Sequence, residues 1–277
     1  MHSATRPANA AHQPARPHAS PLNAPARKPL YLTTPHRACI DAASDNSLVL
    51  RRDGTAPQRF PIARIERIIC NRNATWTGGA LTLCLTEAVP IVWLDGHGHA
   101  LGNTQARRVR PLAFATALET YLELPDWQQR FDNWLARRRL ETLTAWALRA
   151  TLAGHGPDAR QLETLKREYV YHGQHPQAFE PEGEGWCHAL VVGRLQREGL
   201  QSRYWGFDGS ALDLAANLAG LLWAELNLDC GTLPASAERG IVVAHLFETW
   251  ARRREARLLA HLGDLKRHLA REIDAWH

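Results

Sequence analysis

Strand-like patterning in this sequence stops near residue 103, and everything beyond Pro111 reads as helix. A chain whose strands all precede its helices cannot build an alternating βαβ fold. It predicts an α+β protein, a small N-terminal β-rich domain followed by a larger all-α domain. The boundary is Arg107-Arg108-Val109-Arg110-Pro111, a basic linker spanning 106–111. It separates a β-rich unit at 29–105 from a helical unit at 112–277, and a Pro/Ala-rich tail, 1–28, precedes both. The tail contains Pro7, Pro14, Pro17, Pro21 and Pro25 and no acidic residue, and it has no hydrophobic period. Such a composition predicts disorder.

The first unit opens on the strand run Leu30–Thr34, which Pro35 ends. Arg37–Ala42 and Ser47–Arg52 alternate as short strands, with Asp53-Gly54 as a turn. Ile62–Cys70 has apolar positions that fit a helix, but its β-branched end favours a turn and then a strand. Trp76–Glu87 reads as a helix with Thr77 as N-cap, Val89–Leu94 as a buried strand and Ala100–Gly102 as a last short strand. His97 and His99 lie in a glycine turn with no Cys, Asp or Glu cluster to complete a metal site, so a solvated hairpin tip is the better reading.

The second unit predicts six helices. Leu112–Leu124 is stopped by Pro125, Trp127–Leu152 by Gly154 and Gly156, and a third runs from Pro157 to Tyr171. A fourth covers Glu184–Glu198, a fifth Ser210–Leu228, and a sixth begins at Pro234 and runs almost to the end. Arg137-Arg138-Arg139 projects charge in three directions. The last helix mixes Arg252, Arg253, Arg254 and Arg257 with Glu248 and Glu255, which suits a salt-laced surface as well as a DNA track.

The net charge is +5, almost all of it from arginine, the better fork-shaped phosphate ligand. That points toward nucleic acid, though arginine-rich composition alone also has a bland explanation. The longest apolar runs fall far short of the roughly 20 residues a membrane span needs. No secretory signal is visible, and five scattered cysteines without a C-x-x-C pair suggest reduced thiols in a cytoplasmic setting.

Six segments in order carry a family resemblance. They are Pro29–Thr33, Phe60–Ile69, Gly79–Leu94 with its Ala88-Val89-Pro90-Ile91-Val92-Trp93-Leu94 strand, Arg137–Arg149, Gly199-Leu200 with Tyr204-Trp205-Gly206-Phe207, and Leu212-Asp213-Leu214. Together they resemble the CRISPR-associated adaptation endonuclease and integrase family over residues 29–275. The resemblance implies a DNA-joining enzyme that inserts short duplexes as spacers into a repeat array. It implies Mg²⁺ or Mn²⁺, a homodimer formed through the β-rich domain, and a small ferredoxin-like adaptation subunit as partner.

The family's metal ligands are a Glu, a His and an Asp. Asp213 stands at the Asp position, while the His expected after Phe207 is replaced by Asp208 and then Gly209. A second acid expected on the helix falls at Ala216. Glu168, with Glu163 as the alternative, matches the Glu. The implied metal set is therefore Asp213, Asp208 and Glu168. Alternatively Asp208 caps a helix or forms an Asx-turn, and Asp213 is a polar first-turn residue. Arg107, Arg108, Arg110, Arg137, Arg138, Arg203, Arg252 and Arg253 are the candidate DNA contacts. An inactive relative that keeps the fold as a DNA-binding or scaffolding subunit is the second reading.

Overall fold

The computed structural model describes residues 27–33, 35–104, 113–200, 204, 212–230 and 241–276. Residues 1–26 of the predicted tail, the basic linker and most of the 201–211 loop lie outside them, and Lys28, placed in the tail by the sequence, opens β1. Eight strands come first: β1 (Lys28–Leu32), β2 (Ala38–Ala42), β3 (Ser47–Arg52), β4 (Gln58–Pro61), β5 (Ile65–Asn71), β6 (Ala74–Trp76), β7 (Ile91–Leu94) and β8 (Ala100–Asn103). One short helix, α1 (Gly78–Thr86), interrupts them. Six further α-helices follow: α2 (Ala113–Leu122), α3 (Trp127–Leu152), α4 (Ala159–Leu165), α5 (Glu182–Arg197), α6 (Leu214–Asp229) and α7 (Ile241–Trp276). The chain is α+β with its strands first.

The strands form two four-stranded sheets, ordered β1-β5-β7-β8 and β4-β3-β2-β6. Ile62–Arg64 is a single 3-10 turn and β5 follows it at once, because Ile68, Ile69 and Cys70 suit a strand buried on both faces. Ile68 and Cys70 face the core between the sheets, with Ile40, Leu50 and Ile91. Ile69, Val92 and Leu94 face the other way, into the helical core with Trp186, Val191, Leu195 and Phe247. Thr77 caps α1 by accepting the Ala80 N–H at 3.2 Å.

Helix α5 lies on the β1-β5-β7-β8 sheet, so the β-rich and helical parts share one core. Two glycines let them approach. A Cβ on Gly185 would fall 2.3 Å from the Gly98 carbonyl oxygen and 2.4 Å from Leu94 Cδ2. A Cβ on Gly98, whose φ is +89°, would fall 2.5 Å from Glu182 Cα. The turn expected as a solvated tip thus docks on the N-terminus of α5. His99 Nδ1 lies 2.9 Å from Glu184 there, and the Asp95 carboxylate accepts the His97 and His99 backbone N–H groups at 2.8 and 2.9 Å.

A buried ion cluster seals the same junction. Arg67 of β5 is 2% exposed and reaches Glu248 of α7 at 2.5 Å, and Tyr31 of β1 donates to the same carboxylate. Behind α5, the 16 residues of α6 are nearly all buried. α6 meets α3 and α7 through Glu225, His261 and Arg138.

The predicted third helix is α4 continued by a π-helical turn, Lys166–Tyr171. Asp158 and Gln161 form a capping box at its start. The fifth helix starts at Leu214 rather than Ser210, because Asp213 takes the N-cap.

Candidate metal site and nucleic-acid interface

Asp213 is the candidate ligand that the structure describes most fully. Its Oδ1 accepts the Ala216 N–H at 2.8 Å, which satisfies one of the free donors at the start of α6. Asn217 donates from its side chain to the Asp213 carbonyl at 2.6 Å. Burial raises the Asp213 carboxyl above its ordinary range, and the Ala216 N–H offsets only part of that.

Glu168 sits on the π-helical turn with its side chain 46% exposed, 3.8 Å from Arg167. Neither carboxylate shares a hydrogen bond with the other. Asp208 lies outside the described residues. Among the described residues no three His, Cys, Asp or Glu side chains gather into a cluster that could hold a metal. Asp213 alone does not make a Mg²⁺ or Mn²⁺ site, which needs several converging oxygens. The described residues therefore do not fit the ion.

The candidate DNA contacts divide by environment. Arg252 and Arg253 are exposed on α7. Among the described residues neither has an acidic partner, and Arg252 makes only a 3.5 Å contact with Thr249. Arg137 is half-exposed and pairs with Asp264 at 3.0 Å. Arg138 is 8% exposed and is held by His261, at 3.0 and 3.2 Å, and by Glu141. Arg107, Arg108, Arg110 and Arg203 lie outside the described residues.

Arg252 also lines a cavity of about 80 Å³ between β5, α5 and α7. Arg67, Arg194, Arg197 and Arg254 contribute to its wall, along with Glu66, Glu248 and Glu255. Tyr204 of the aromatic loop is buried, which is core packing rather than an exposed stacking platform.

Sequence reasoning missed the buried polar network behind this surface. Glu225, 2% exposed, lies 3.3 Å from Arg257 and 3.4 Å from His261 Nε2. Arg138 donates to His261 Nδ1, so the imidazole carries its proton on Nε2 and bridges the two charges. Burial pushes the Glu225 carboxyl up, but His261 and Arg257 outweigh it and hold the carboxyl below its ordinary range. The sequence signal was a Glu within a largely apolar helix.

Residues 30–122 match the family model described as CRISPR associated protein Cas1. A Cas1 protein from Thermotoga maritima superposes with a TM-score of 0.63 at 12% identity, covering 88% of this chain and 97% of the other. The TtCas1–DNA complex gives 0.56 at 12% identity, covering 87% and 91%. A casposase bound to its integration product gives 0.58 at 13% identity, covering 80% and 82%. No curated protein matches the sequence. Residues 30–122 thus resemble Cas1 in sequence, and the chain shares the Cas1 fold along most of its length.

Proposed function

We propose that this protein joins DNA in CRISPR adaptation, inserting short duplexes into a repeat array. The observation that carries this reading is the likeness to the Cas1 fold over 88% of the chain, and Asp213 at the head of the buried helix α6 is the residue we would place at its centre. Phosphodiester strand transfer moves a 3′-hydroxyl onto a scissile phosphate, and its transition state gathers charge on the phosphoryl oxygens. Asp213 stands at a helix N-terminus, where backbone N–H groups favour anionic oxygens, and Arg252 and Arg253 are exposed cations on α7.

Mg²⁺ or Mn²⁺ is the expected cofactor, with Asp213, Asp208 and Glu168 as the ligands to test. The described residues do not assemble such a site, so no step is routed through it. Arg107, Arg108, Arg110, Arg137, Arg138, Arg203, Arg252 and Arg253 are the DNA contacts to test, with Arg252 and Arg253 first because they are exposed. A homodimer through the β-rich domain is supported by edge strand β8, whose Leu101 is 59% exposed. A small ferredoxin-like adaptation subunit is the expected partner. A cytoplasmic setting is supported by five free cysteines and by the fact that no described helix is long and apolar enough to cross a membrane.

The test is a joining assay. A labelled short duplex is incubated with a repeat-containing plasmid, Mn²⁺ and the protein, with and without the partner subunit. Label appearing in the plasmid supports the reading. Tight duplex binding with no joining under any of these conditions would assign the chain to the scaffolding role instead.

A further inference from the structure

The five arginines of α3 divide four to one. Arg130 pairs with Glu272, Arg137 with Asp264 at 3.0 Å, Arg138 with Glu141 and Arg149 with Asp229 at 3.3 Å. Among the described residues no hydrogen bond or ion pair reaches Arg139, and its Nε is buried without a partner. Its guanidinium lies over Gly173, where a Cβ would come within 3.2 Å of both Nη1 and Nη2. Gly173 holds the left-handed conformation, φ +69°, that a side chain would disfavour.

Two more polar groups beside Arg139 lack partners. Tyr169 is 1% exposed, and its hydroxyl is buried without a hydrogen bond. Its ring packs against His175 with centroids 5.8 Å apart, and His175 Nδ1 is also buried and unbonded. The other edge of that imidazole lies over Gly220 of α6, where a Cβ would come within 3.1 Å of Cε1 and Nε2. Tyr169 belongs to the π-helical turn, a widened geometry that recurs at functional sites.

The electrostatics tie the three together. Burial, with the Arg139 charge adding to it, lowers the His175 imidazole to about 4, so it is neutral at pH 7 and offers one N–H. The Tyr169 hydroxyl, buried and without a hydrogen-bond partner, has its proton free to donate. The carboxylates that act on the cluster from a distance are Asp132 on Arg139 and Glu225 on Tyr169. Neither bonds to it, and Glu225 is engaged by His261 and Arg257. The cluster reaches the surface through Arg139, Gly173 and His175, which are each part-exposed.

A half-buried guanidinium with its Nε buried, a phenol and an imidazole N–H, all lacking an acceptor, are the donor set of an oxyanion site. We propose that Arg139, Tyr169 and His175 bind one phosphate-class oxyanion, supplied by a phosphate of a bound nucleic-acid strand. The strand as source rests on the DNA reading above; the site itself does not.

The test uses the full chain, Arg139→Gln, and Tyr169→Phe, which removes only the hydroxyl. Circular dichroism first establishes that both variants fold. Inorganic phosphate is then titrated while the His175 imidazole resonances and the melting temperature are followed. The expected result is a His175 shift and a raised Tm in the wild type, with affinity about tenfold weaker in each variant. No binding, or equal binding in all three, overturns the site.

Duplex DNA is titrated in parallel across salt concentrations. A salt slope lower by about one in Arg139→Gln assigns the phosphate to the strand. An unchanged slope with phosphate binding intact keeps the site but overturns the strand as its source. If phosphate binds and DNA does not bind even the wild type, it is the DNA reading that has failed and not the site.

Discussion

The Asp213 carboxylate accepts the Ala216 backbone N–H at 2.8 Å, so the residue proposed as a metal ligand is also the N-cap of the largely buried helix α6. These two roles separate by substitution. Asp213→Asn keeps an oxygen acceptor and removes the charge. Asp213→Ala removes both. Loss of the cap costs about 1 kcal/mol. Chemical denaturation should therefore place Asp213→Ala below wild type by that amount and Asp213→Asn close to it.

The raised carboxyl of Asp213 also fixes a pH trend. Burial makes the folded state bind this proton more tightly than the unfolded chain does. Stability contributed by the site is thus full below the unfolded carboxyl value and falls as pH rises through the folded one. Denaturation curves of wild type minus Asp213→Asn, taken from acid toward neutral pH, should show wild type losing ground as pH rises.

Glu225 should behave in the opposite sense. His261 and Arg257 hold its carboxyl below the ordinary range against the cost of burial, so its contribution is present above the unfolded carboxyl value and is lost as pH falls. Glu225→Ala leaves Arg257 and the Arg138–His261 pair without their buried counter-charge. It should cost about 3–5 kcal/mol by urea denaturation. A loss below 1 kcal/mol would show that the network is not a structural element.

The Gly98–Gly185 contact predicts a sharp contrast between glycines. Gly185→Ala puts a methyl 2.3 Å from a backbone oxygen that cannot move aside, and should cost about 1–3 kcal/mol or more. Gly78→Ala, at the start of α1 with nothing within 4 Å, should stay within about 0.5 kcal/mol of wild type. Thermal melts of the two variants side by side check this.

Much of the fold was legible in the sequence because its signals are local. Trp127–Leu152 was delimited to the residue by Pro125 before it and the glycines after it. Thr77 announced α1, and the β-branched end of Ile62–Cys70 chose strand over helix. The docking of the 95–99 turn was not legible. It depends on Gly98 and Gly185, 87 positions apart, approaching closer than any side chain allows. The candidate site was legible only by resemblance, since Asp213 is a polar residue before an apolar helix and its cap geometry has many sequence equivalents. The division of the Arg137–Arg139 triplet into paired, buried and unpaired members needed the partners on α7 and in the 172–175 loop, which no local pattern encodes.

The most direct test of the DNA-joining account is the plasmid joining assay in Mn²⁺, with wild type, Asp213→Asn and the pair Arg252→Gln/Arg253→Gln compared at equal folded concentration. The account predicts joined product with wild type and loss of joining in Asp213→Asn despite near-native stability and intact duplex binding. It predicts that the arginine pair binds the duplex more weakly, with a salt slope reduced by about two. Joining that is undiminished in Asp213→Asn would contradict the placement of the chemistry at the head of α6.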